Sequence, residues 1–534
     1  MLVSLPFLVP VHRLPIPSFF EEAGAAALGL IAFAMALRRG HFPVPAISPW
    51  IAGLGLLMLA QPSFLPLASP ELAWLQGLAA LWAAAMMCVG ASLRGEADVE
   101  RITATLAFAM AAAVLVSAVA SWGGGHRLAL LHQPNLHANY QVLGLSCVAF
   151  LWTARRVPLW CALLAVAIIG SSLAISASRA SLLELIWVAG VYALWSARRP
   201  QPRRFRALWM LATVLVVMGV CVFVLPDPVG GILAAKLADV FHSRELHVRL
   251  VEWEAALRIG GSSPWFGVGA GAYSSAQFAT ATPWAGSVPM QVEINAHNAV
   301  LHLFAETGAV GALMALLGVA TWLVRALRTL LRDASLVQAW AVAGVGVELV
   351  HGLLEYPLWN VEFLGVAALL AGMGDPNRWT FALTKAARVA GTAAAFCGLA
   401  LLAWTALVFN HVHDYWSGRP QDPSTIEAAR RSLLRPYLDV AVALAMPLDR
   451  QDLDQKIAFN DRVVRTWPLR PVVQRQIVWL AMAGRDEEGD VLIEHMTRLM
   501  PASIVELGEL VDTVQATELS ADSRLRWRLV DRLP

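Results

Sequence analysis

Apolar runs about as long as a bilayer is thick recur through most of this chain, separated by short polar connections. A helix needs roughly 20 apolar residues to cross the hydrocarbon core, and in lipid every backbone polar group must find a partner within the protein. Hydrophobic residues make up 58% of the sequence and charged residues only 15%, whereas soluble domains carry charge at about a quarter of their positions. The pattern predicts an all-α polytopic membrane helix bundle.

The apolar runs predict about 12 membrane spans. They lie near 22–37, 47–61, 72–93, 102–122, 138–153, 157–175, 181–196, 207–225, 298–323, 336–354, 358–373 and 389–409. We therefore expect four regions. These are an N-terminal transmembrane bundle at 1–225, a large loop at 226–296, C-terminal transmembrane helices at 297–409, and a helical domain outside the membrane at 410–534.

The predicted domain at 410–534 is charged and shows amphipathic helical periodicity interrupted by prolines. The stretches 457–467 and 472–483 are typical of one helical hairpin, and the stretch 487–500 belongs to a second. A scaffold of tetratricopeptide type fits this pattern, but the repeat is too degenerate to assign.

Basic residues concentrate in one alternating set of connections, and the side of a membrane protein richer in Lys and Arg is usually cytoplasmic. That set holds Arg38, Arg39, Arg94, Arg101, Arg155, Arg156, Arg198, Arg199, Arg203, Arg204, Arg206, Arg325, Arg328, Arg332, Arg378, Lys385 and Arg388. The assignment places the large loop and the helical domain in a periplasm. It also places the start of the first full span outside, so either the N-terminus is external or residues 1–11 are the remnant of an additional span.

Several classes of function are disfavoured by the residues themselves. A net charge of +2 is too small to suggest a nucleic-acid partner. The five cysteines lie inside apolar runs and show neither a disulfide framework nor a metal spacing. The two histidines in each of the pairs 132/137, 242/247 and 297/302 are five residues apart, a spacing that does not place both rings on one helix face, so we expect no metal site. We expect no other cofactor either. The glycine-rich run 267–271 lacks the strand and the lysine of a phosphate loop, and we interpret it as a flexible turn.

Five unusual polar segments fall on the predicted outer side. They are Gln133-Pro134-Asn135, Ser178-Arg179, Arg249 with Trp253, His297-Asn298, and Glu355-Tyr356-Pro357-Leu358-Trp359. Ionisable groups at the edge of membrane segments are functional-site hypotheses by default. The alternative for each is an ordinary loop or a side chain that reaches the interface.

His297 is the candidate general base. It comes just before a predicted helix, whose positive end disfavours the protonated imidazole, and a neutral imidazole can take a proton. Asn298 fits a helix cap as well as a substrate ligand. Glu306 must be paired, protonated or next to water, and we interpret it as a structural or orienting acid. We expect Gly308 and Gly311 to be close-packing positions.

Arg179 and Arg249 are candidate anion ligands, because arginine binds phosphate oxygens through two parallel hydrogen bonds and stays charged. Together with a neutral base they suit displacement at a phosphorylated carbon, in which cations neutralise a departing diphosphate. Since no nucleotide site is evident, the activated donor would arrive on a lipid carrier. We expect the imidazole of His297 and the two guanidinium groups to meet at one outward-facing pocket.

At these residues the chain resembles a known family. The run Asn295-Ala296-His297-Asn298-Ala299-Val300-Leu301, followed by Glu306, Gly308 and Gly311, resembles the signature of the O-antigen ligase and polymerase superfamily. Two further matches are Arg249 and Trp253 with the later run Pro264-Trp265-Phe266-Gly267-Val268-Gly269, and Ser178-Arg179-Ala180. More narrowly, the chain is similar to the bacterial general O-linked protein glycosylation ligases. That similarity lies in Pro6-Phe7-Leu8, Pro17-Ser18-Phe19-Phe20-Glu21-Glu22, Gln133-Pro134-Asn135, Glu355-Tyr356-Pro357-Leu358-Trp359 and the helical tail.

The narrower resemblance implies an enzyme of the bacterial inner membrane. Its donor would be a glycan linked to undecaprenyl diphosphate. The glycan would pass en bloc, without a metal, to a Ser or Thr hydroxyl of a periplasmic or pilin protein. Carried over by position, the resemblance makes His297 the base and places Arg179 and Arg249 on the diphosphate. The residues that it implies bind substrate are Gln133, Tyr356, Asn298, Glu306 and Glu355. The family often has an aromatic residue where this chain has Asn360, which leaves the fit of the donor at that point open.

Two alternatives stay open. In the first, the same chemistry joins O-antigen to lipid A core, or polymerises it. In the second, the protein is a transporter or flippase for the lipid-linked glycan, which predicts polar residues near mid-membrane in several spans and broken helices.

Overall fold

The structure is a computed structural model that describes residues 1–94, 98–122, 131, 133–176, 178–197, 206–224, 244–280, 292–333 and 335–515. Three predicted features lie outside the described residues. They are residues 226–243 and 281–291 of the large loop, the basic residues Arg198, Arg199, Arg203 and Arg204, and residues 516–534 of the last domain.

The described residues are overwhelmingly α-helical, which confirms the all-α fold class. The helices are α1 Phe19–Leu37, α2 Ser48–Ala60, α3 Pro70–Arg94, α4 Val99–Trp122, α5 Pro134–Thr153, α6 Leu159–Ser176, α7 Ala180–Ser196, α8 Arg206–Val224, α9 Arg244–Ser262, α10 Tyr273–Thr280, α11 Ala299–Asp333, α12 Leu336–Gly352, α13 Val361–Gly374, α14 Lys385–Trp416, α15 Pro423–Arg430, α16 Arg435–Ala445, α17 Leu453–Val464, α18 Arg470–Met482, α19 Asp486–Leu499 and α20 Ser503–Gln515. Short 3₁₀ turns span Pro6–Leu8, Gln61–Ser63 and Pro357–Trp359.

One small antiparallel ribbon was not predicted. Strand β1 (His41–Pro45) pairs with β2 (Arg378–Ala382), and His41 lies opposite Ala382. Both segments follow helices and come from regions far apart in sequence, so local periodicity did not reveal the pairing.

Among the described residues, α1, α3, α4, α6, α11 and α14 are long and apolar enough to cross a membrane. Four shorter apolar helices occur at Ala180–Ser196, Trp209–Cys221, Leu336–Gly352 and Val361–Gly374. The protein is therefore a multi-pass membrane protein. The number of about 12 spans and the side that faces the periplasm stay predictions.

Contacts divide the chain into two compact units. Unit 1 comprises the described residues within Met1–Leu56, Leu78–Ser243 and Leu313–Ala406, and unit 2 those within Leu57–Gly77, Arg244–Ala312 and Leu407–Pro534. The predicted domain at 410–534 falls in unit 2, together with part of the predicted large loop. The four-region division of the sequence stays a prediction.

Helix α5 lies at the centre of unit 1 and is buried on nearly all sides. It carries polar residues as well as apolar ones, and these bond within the unit: His137 Nε2 lies 3.0 Å from Ser172 Oγ, and His137 Nδ1 lies 3.3 Å from Ser117 Oγ. Buried polar groups need such partners because leaving one unpaired is costly.

The two ends of α12 mark two polar regions of unit 1. Near its start, Gln338 accepts a hydrogen bond from Arg94 at 2.5 Å and donates to the carbonyl of Gly374 at 2.7 Å. Near its end, His351 contacts Glu184 of α7. The two positions are about 20 Å apart along a helix, so Arg94 and the Glu184–His351 contact lie at opposite ends of α12.

One apolar core of unit 2 is built by α16, α17, α18, α19 and α20 and also includes Phe278 of α10. Ile457, Ile477, Ile493 and Leu507 are buried in that core. The predicted hairpin 457–467 with 472–483 corresponds to α17 and α18, and the stretch 487–500 corresponds to α19.

Candidate functional site

The predicted site residues fall into two sets, one in each unit. Unit 1 holds Gln133, Arg179, Glu355 and Tyr356, and unit 2 holds Arg249, His297, Asn298 and Glu306. The predicted meeting of His297 with both arginines stays a prediction.

His297 lies in a tight turn immediately before α11. Its φ of +49° is in the left-handed region, which costs most side-chain-bearing residues about 1–3 kcal/mol and recurs at functional sites. Its backbone N–H donates to Asn295 Oδ1 at 2.9 Å. The side chain is half-buried, so a strained backbone holds a partly accessible imidazole at this point.

Asn298 caps helix α11. Its Oδ1 accepts hydrogen bonds from the amides of Val300 and Leu301, both at 3.1 Å, and its carbonyl accepts from His302 at 2.9 Å. These bonds satisfy amides that the first turn of a helix leaves without a partner. The capping interpretation of Asn298 is therefore confirmed, and its role as a substrate ligand stays a prediction.

A glycine-rich loop crosses α11 at an interruption of the helix. Gly308 has φ +62° and ψ −166°, so α11 is broken there into two segments. The amides of Ala309 and Val310 donate to the carbonyls of Pro264 and Trp265, at 2.7 and 3.2 Å. The loop therefore supplies the acceptors that the broken helix lacks.

The loop also completes the first segment of α11. Val268 N–H donates to the Ala305 carbonyl at 2.9 Å, and Gly269 N–H to the Glu306 carbonyl at 3.0 Å. Gln61 spans the junction, since its Nε2 donates to the Glu306 carbonyl at 2.8 Å and its Oε1 accepts from Ala270 N at 2.9 Å. The run 267–271, interpreted from sequence as a flexible turn, is thus fixed by hydrogen bonds.

Two glycines allow this crossing. A Cβ on Gly308 would lie 2.3 Å from the carbonyl carbon of Trp265, and a Cβ on Gly267 would lie 2.3 Å from the carbonyl carbon of Glu306. Both glycines also have positive φ, a conformation that glycine adopts without steric cost. Gly308 is a close-packing position, as predicted, and it is also the break in the helix.

Glu306 is a buried acid whose side chain bonds within unit 2. Its Oε1 accepts from the amide of Gly271 at 2.9 Å and from that of Tyr273 at 3.3 Å. Its Oε2 lies 3.3 Å from His302 Nε2, and both side chains are 1% exposed. The carboxylate therefore joins the loop, the start of α10 and helix α11. This geometry agrees with an orienting acid.

Arg249 lies on the helix that packs against the turn of His297. Ala256 of α9 shares one buried apolar cluster with Ala296 and Tyr273. Arg249 precedes Ala256 by two helical turns, about 10 Å along α9, and therefore lies on the same helix face.

Tyr273 links α10 to α9. Burial is the main cause that raises the pKa of Tyr273 above its usual range, and the negative charge of nearby acids is the second cause. The hydroxyl donates to the Glu252 carbonyl of α9 at 3.2 Å.

In unit 1 a hydrogen bond joins two of the predicted segments. Asn135 Nδ2 donates to Glu355 Oε1 at 2.9 Å, and Glu355 is buried. The start of α5, which Gln133 precedes, therefore lies beside the turn that contains Tyr356.

The Arg179 segment reaches the same end of unit 1 through a buried pair. Glu184, in the first turns of α7, lies 2.6 Å from Nδ1 of His351, in the last turn of α12, and neither side chain is exposed. Because Arg179 precedes α7 and Glu355 follows α12, this contact brings the two segments to one end of the unit. Glu348, one turn before His351, is also fully buried, and its carboxylate has no hydrogen-bond partner among the described residues.

Sequence reasoning did not single out Glu184, His351 or Gln61, and it considered His302 only as a metal ligand. A signal existed for two of these positions. Glu184 is an acid inside an apolar run, which marks a functional or paired position, and His302 lies four residues before Glu306, on the same helix face. Within the described ranges, no three His, Cys, Asp or Glu side chains are placed to hold a metal ion.

Two family models match this chain. The model described as O-antigen ligase matches residues 164–316, which include Arg179, Arg249, His297 and Glu306. The model described as virulence factor membrane-bound polymerase, C-terminal, matches residues 339–514, which include Glu355 and Tyr356. No curated protein matches the chain significantly. The two matches and the helical membrane fold show that the chain belongs to the O-antigen ligase/polymerase superfamily of membrane enzymes.

Proposed function

We propose that the protein transfers a preassembled glycan from undecaprenyl diphosphate to Ser or Thr hydroxyls of periplasmic or pilin proteins, at the periplasmic face of the bacterial inner membrane. The observation that carries the proposal is His297 in its left-handed turn ahead of the capped helix α11. This turn lies within the segment that matches the O-antigen ligase model.

The proposed reaction is a single displacement. The imidazole of His297 takes the proton of the acceptor hydroxyl, and the hydroxyl oxygen forms a bond to the anomeric carbon of the glycan. The bond between that carbon and the diphosphate oxygen breaks, and its electron pair leaves with undecaprenyl diphosphate. A general base of this kind contributes about 10²–10⁴-fold to the rate.

Arg179 and Arg249 are the proposed diphosphate ligands. A guanidinium group matches phosphate oxygens with two parallel hydrogen bonds, and it stabilises the charge that develops on the leaving group. Two described features support these roles: Arg249 lies on the face of α9 that packs near Ala296, and Arg179 precedes α7 at the end of unit 1 that also holds Glu355. We propose that Gln133 and Tyr356 line the donor site, and that the reaction needs no metal.

The charged helices after α14 support a protein acceptor. Helices α16 to α20 share one apolar core, and a helical domain of this size is more than a sugar acceptor requires. Stacked amphipathic helices commonly present extended surfaces for peptide binding.

A second candidate has a sugar hydroxyl as the acceptor, in lipid A core or in a growing polysaccharide. The polymerase description of the model that matches residues 339–514 favours it. The transporter alternative predicts broken helices, and the interruption of α11 at Gly308 is one such break. However, neither family description is that of a transporter.

Expression of the full chain in a strain that makes one defined undecaprenyl-linked glycan tests the proposal. Mass spectrometry of periplasmic proteins should show the intact glycan on Ser or Thr, and the His297→Ala protein, present at the same membrane level, should transfer it at a rate lower by about 10²–10⁴-fold. The glycan on lipid A core or in longer polysaccharide, with unmodified proteins, would select the second candidate.

A further inference from the structure

The turn that carries His297 is held from two directions. On one side the amide of His297 donates to Asn295 Oδ1 at 2.9 Å. On the other, the amide of Ala296, a fully buried residue, donates to Nδ1 of His302 at 3.4 Å. These two amide bonds restrain the left-handed backbone from which the imidazole of His297 extends.

His302 fulfils this task in one tautomer only. Its Nδ1 accepts the Ala296 amide, so the ring proton of the neutral imidazole must be on Nε2. Nε2 lies 3.3 Å from Glu306 Oε2, an acceptor for that proton. The neighbouring carboxylate thus selects the tautomer, as second-sphere acids do for other functional histidines.

Glu306 is itself held in place, and so is the His302 ring. The other carboxylate oxygen of Glu306 accepts from the amides of Gly271 and Tyr273. The ring of His302 packs on the ring of Tyr273 with a centroid distance of 5.0 Å. A continuous chain of contacts therefore runs from the start of α10 through Glu306 and His302 to the backbone beside His297.

We propose that His302 is a positioning residue for His297, and that Glu306 fixes the tautomer of His302 that binds the Ala296 amide. The inference rests on the proposed function, in which His297 is the general base, and it deepens that function. It assigns part of the rate to a backbone contact made by a buried side chain that does not touch the substrate.

Conservative variants separate the two bonds of His302. In His302→Asn the side-chain oxygen can replace Nδ1 as the acceptor for Ala296, but no group reaches Glu306. In His302→Gln the amide nitrogen can still donate to Glu306, but no acceptor remains for Ala296. In Glu306→Gln the amides of Gly271 and Tyr273 hold the side-chain oxygen, so the side-chain nitrogen faces Nε2 of His302. That donor places the ring proton of His302 on Nδ1, where it can no longer accept from Ala296. His41→Asn, a change at an exposed histidine of β1, is the control.

The measurement is kcat and donor KM of the full-length protein in proteoliposomes, with a synthetic undecaprenyl-diphosphate glycan. A displacement of a reacting group by about 1 Å costs on the order of 100-fold in rate. We therefore expect His302→Gln and Glu306→Gln to lower kcat by about 100-fold with donor KM unchanged. We expect His302→Asn to recover most of the wild-type kcat, and His41→Asn to match the wild type.

The comparison of His302→Asn with His302→Gln decides the proposal. The proposal is wrong if the two variants have equal kcat, or if only donor KM changes. It is also wrong if both variants lose kcat equally and unfold at a lower temperature than the wild type. If neither variant folds, Glu306→Gln decides, and wild-type kcat in that variant would also overturn the proposal. Activity of His297→Ala separates the two levels: a normal rate there refutes the proposed base, whereas an inactive His297→Ala with fully active His302 variants refutes only the positioning role.

Discussion

Glu184 and His351 form a fully buried pair, with 2.6 Å between the carboxylate Oε1 and the imidazole Nδ1. The pair joins the beginning of α7 to the end of α12, and so fixes the end of unit 1 at which the Arg179 and Glu355 segments lie. In an apolar surrounding, removal of one partner leaves the other without compensation.

Glu184→Ala should therefore lower the free energy of unfolding by about 3–5 kcal/mol, measured by thermal or denaturant unfolding in detergent. Replacing both partners with leucine should cost less than the single change, because no uncompensated group remains. Glu427→Gln is a matched control, since Glu427 pairs with Arg431 on an exposed surface and such pairs contribute about 0–1 kcal/mol. A loss of only about 0–1 kcal/mol in the free energy of unfolding of Glu184→Ala would contradict the pairing.

The crossing of the loop over α11 depends on glycine. Gly308→Ala should destabilise unit 2 and abolish transfer, because the new Cβ would overlap the Trp265 carbonyl carbon at 2.3 Å and the backbone has positive φ. Gly261→Ala is the control, since nothing lies within 4 Å of its Cβ position. In a helix that change stabilises by up to about 1 kcal/mol. Protease resistance of the folded protein measures both changes. A folded, active Gly308→Ala protein would refute the described crossing.

The cap at Asn298 predicts different results for two substitutions. Asn298→Asp retains an oxygen for the amides of Val300 and Leu301 and should keep the wild-type stability, while Asn298→Ala should lose about 1 kcal/mol. Unfolding temperature distinguishes them. Equal loss for both would show that the cap does not contribute to stability. With stability intact, a loss of transfer in Asn298→Asp is the result expected if the amide also binds substrate.

Arg249 should act on the donor. Arg249→Lys keeps the charge but loses the planar pair of donors that fits a diphosphate, so we expect kcat/KM for the lipid-linked donor to fall at least tenfold, about 1.4 kcal/mol, with acceptor KM unchanged. Arg258→Lys is a control on the same helix, because Arg258 forms an exposed pair with Glu254. Equal weakening of donor and acceptor use by Arg249→Lys would argue against diphosphate contact.

The sequence predicted those features of the fold that depend on local pattern. Apolar runs gave the membrane helices, amphipathic periodicity gave α17 to α19, and an Asn before an apolar run gave the cap of α11. The ribbon of β1 with β2 and the bond between Asn135 and Glu355 join residues far apart in the chain, and no local pattern encodes such pairing.

The candidate site was predictable to a similar degree. The His-Asn run pointed to the turn before α11, but the positive φ of His297 and the contacts of Asn295 and His302 beside it appear only in the folded chain. Gly308 carried a packing signal, yet its conformation depends on a loop more than thirty residues earlier in the sequence. Glu184 and His351 lie in different helices, so neither residue alone disclosed the pair.

The claim that His297 is the base of glycan transfer is tested by the rates at which the reconstituted full-length protein transfers glycan. With a defined undecaprenyl-diphosphate glycan and a hydroxyl acceptor, His297→Ala should lower kcat by about 10²–10⁴-fold, with the protein still inserted and folded, and added imidazole should restore part of the rate. A His297→Ala protein that transfers glycan at close to the wild-type rate would contradict the claim.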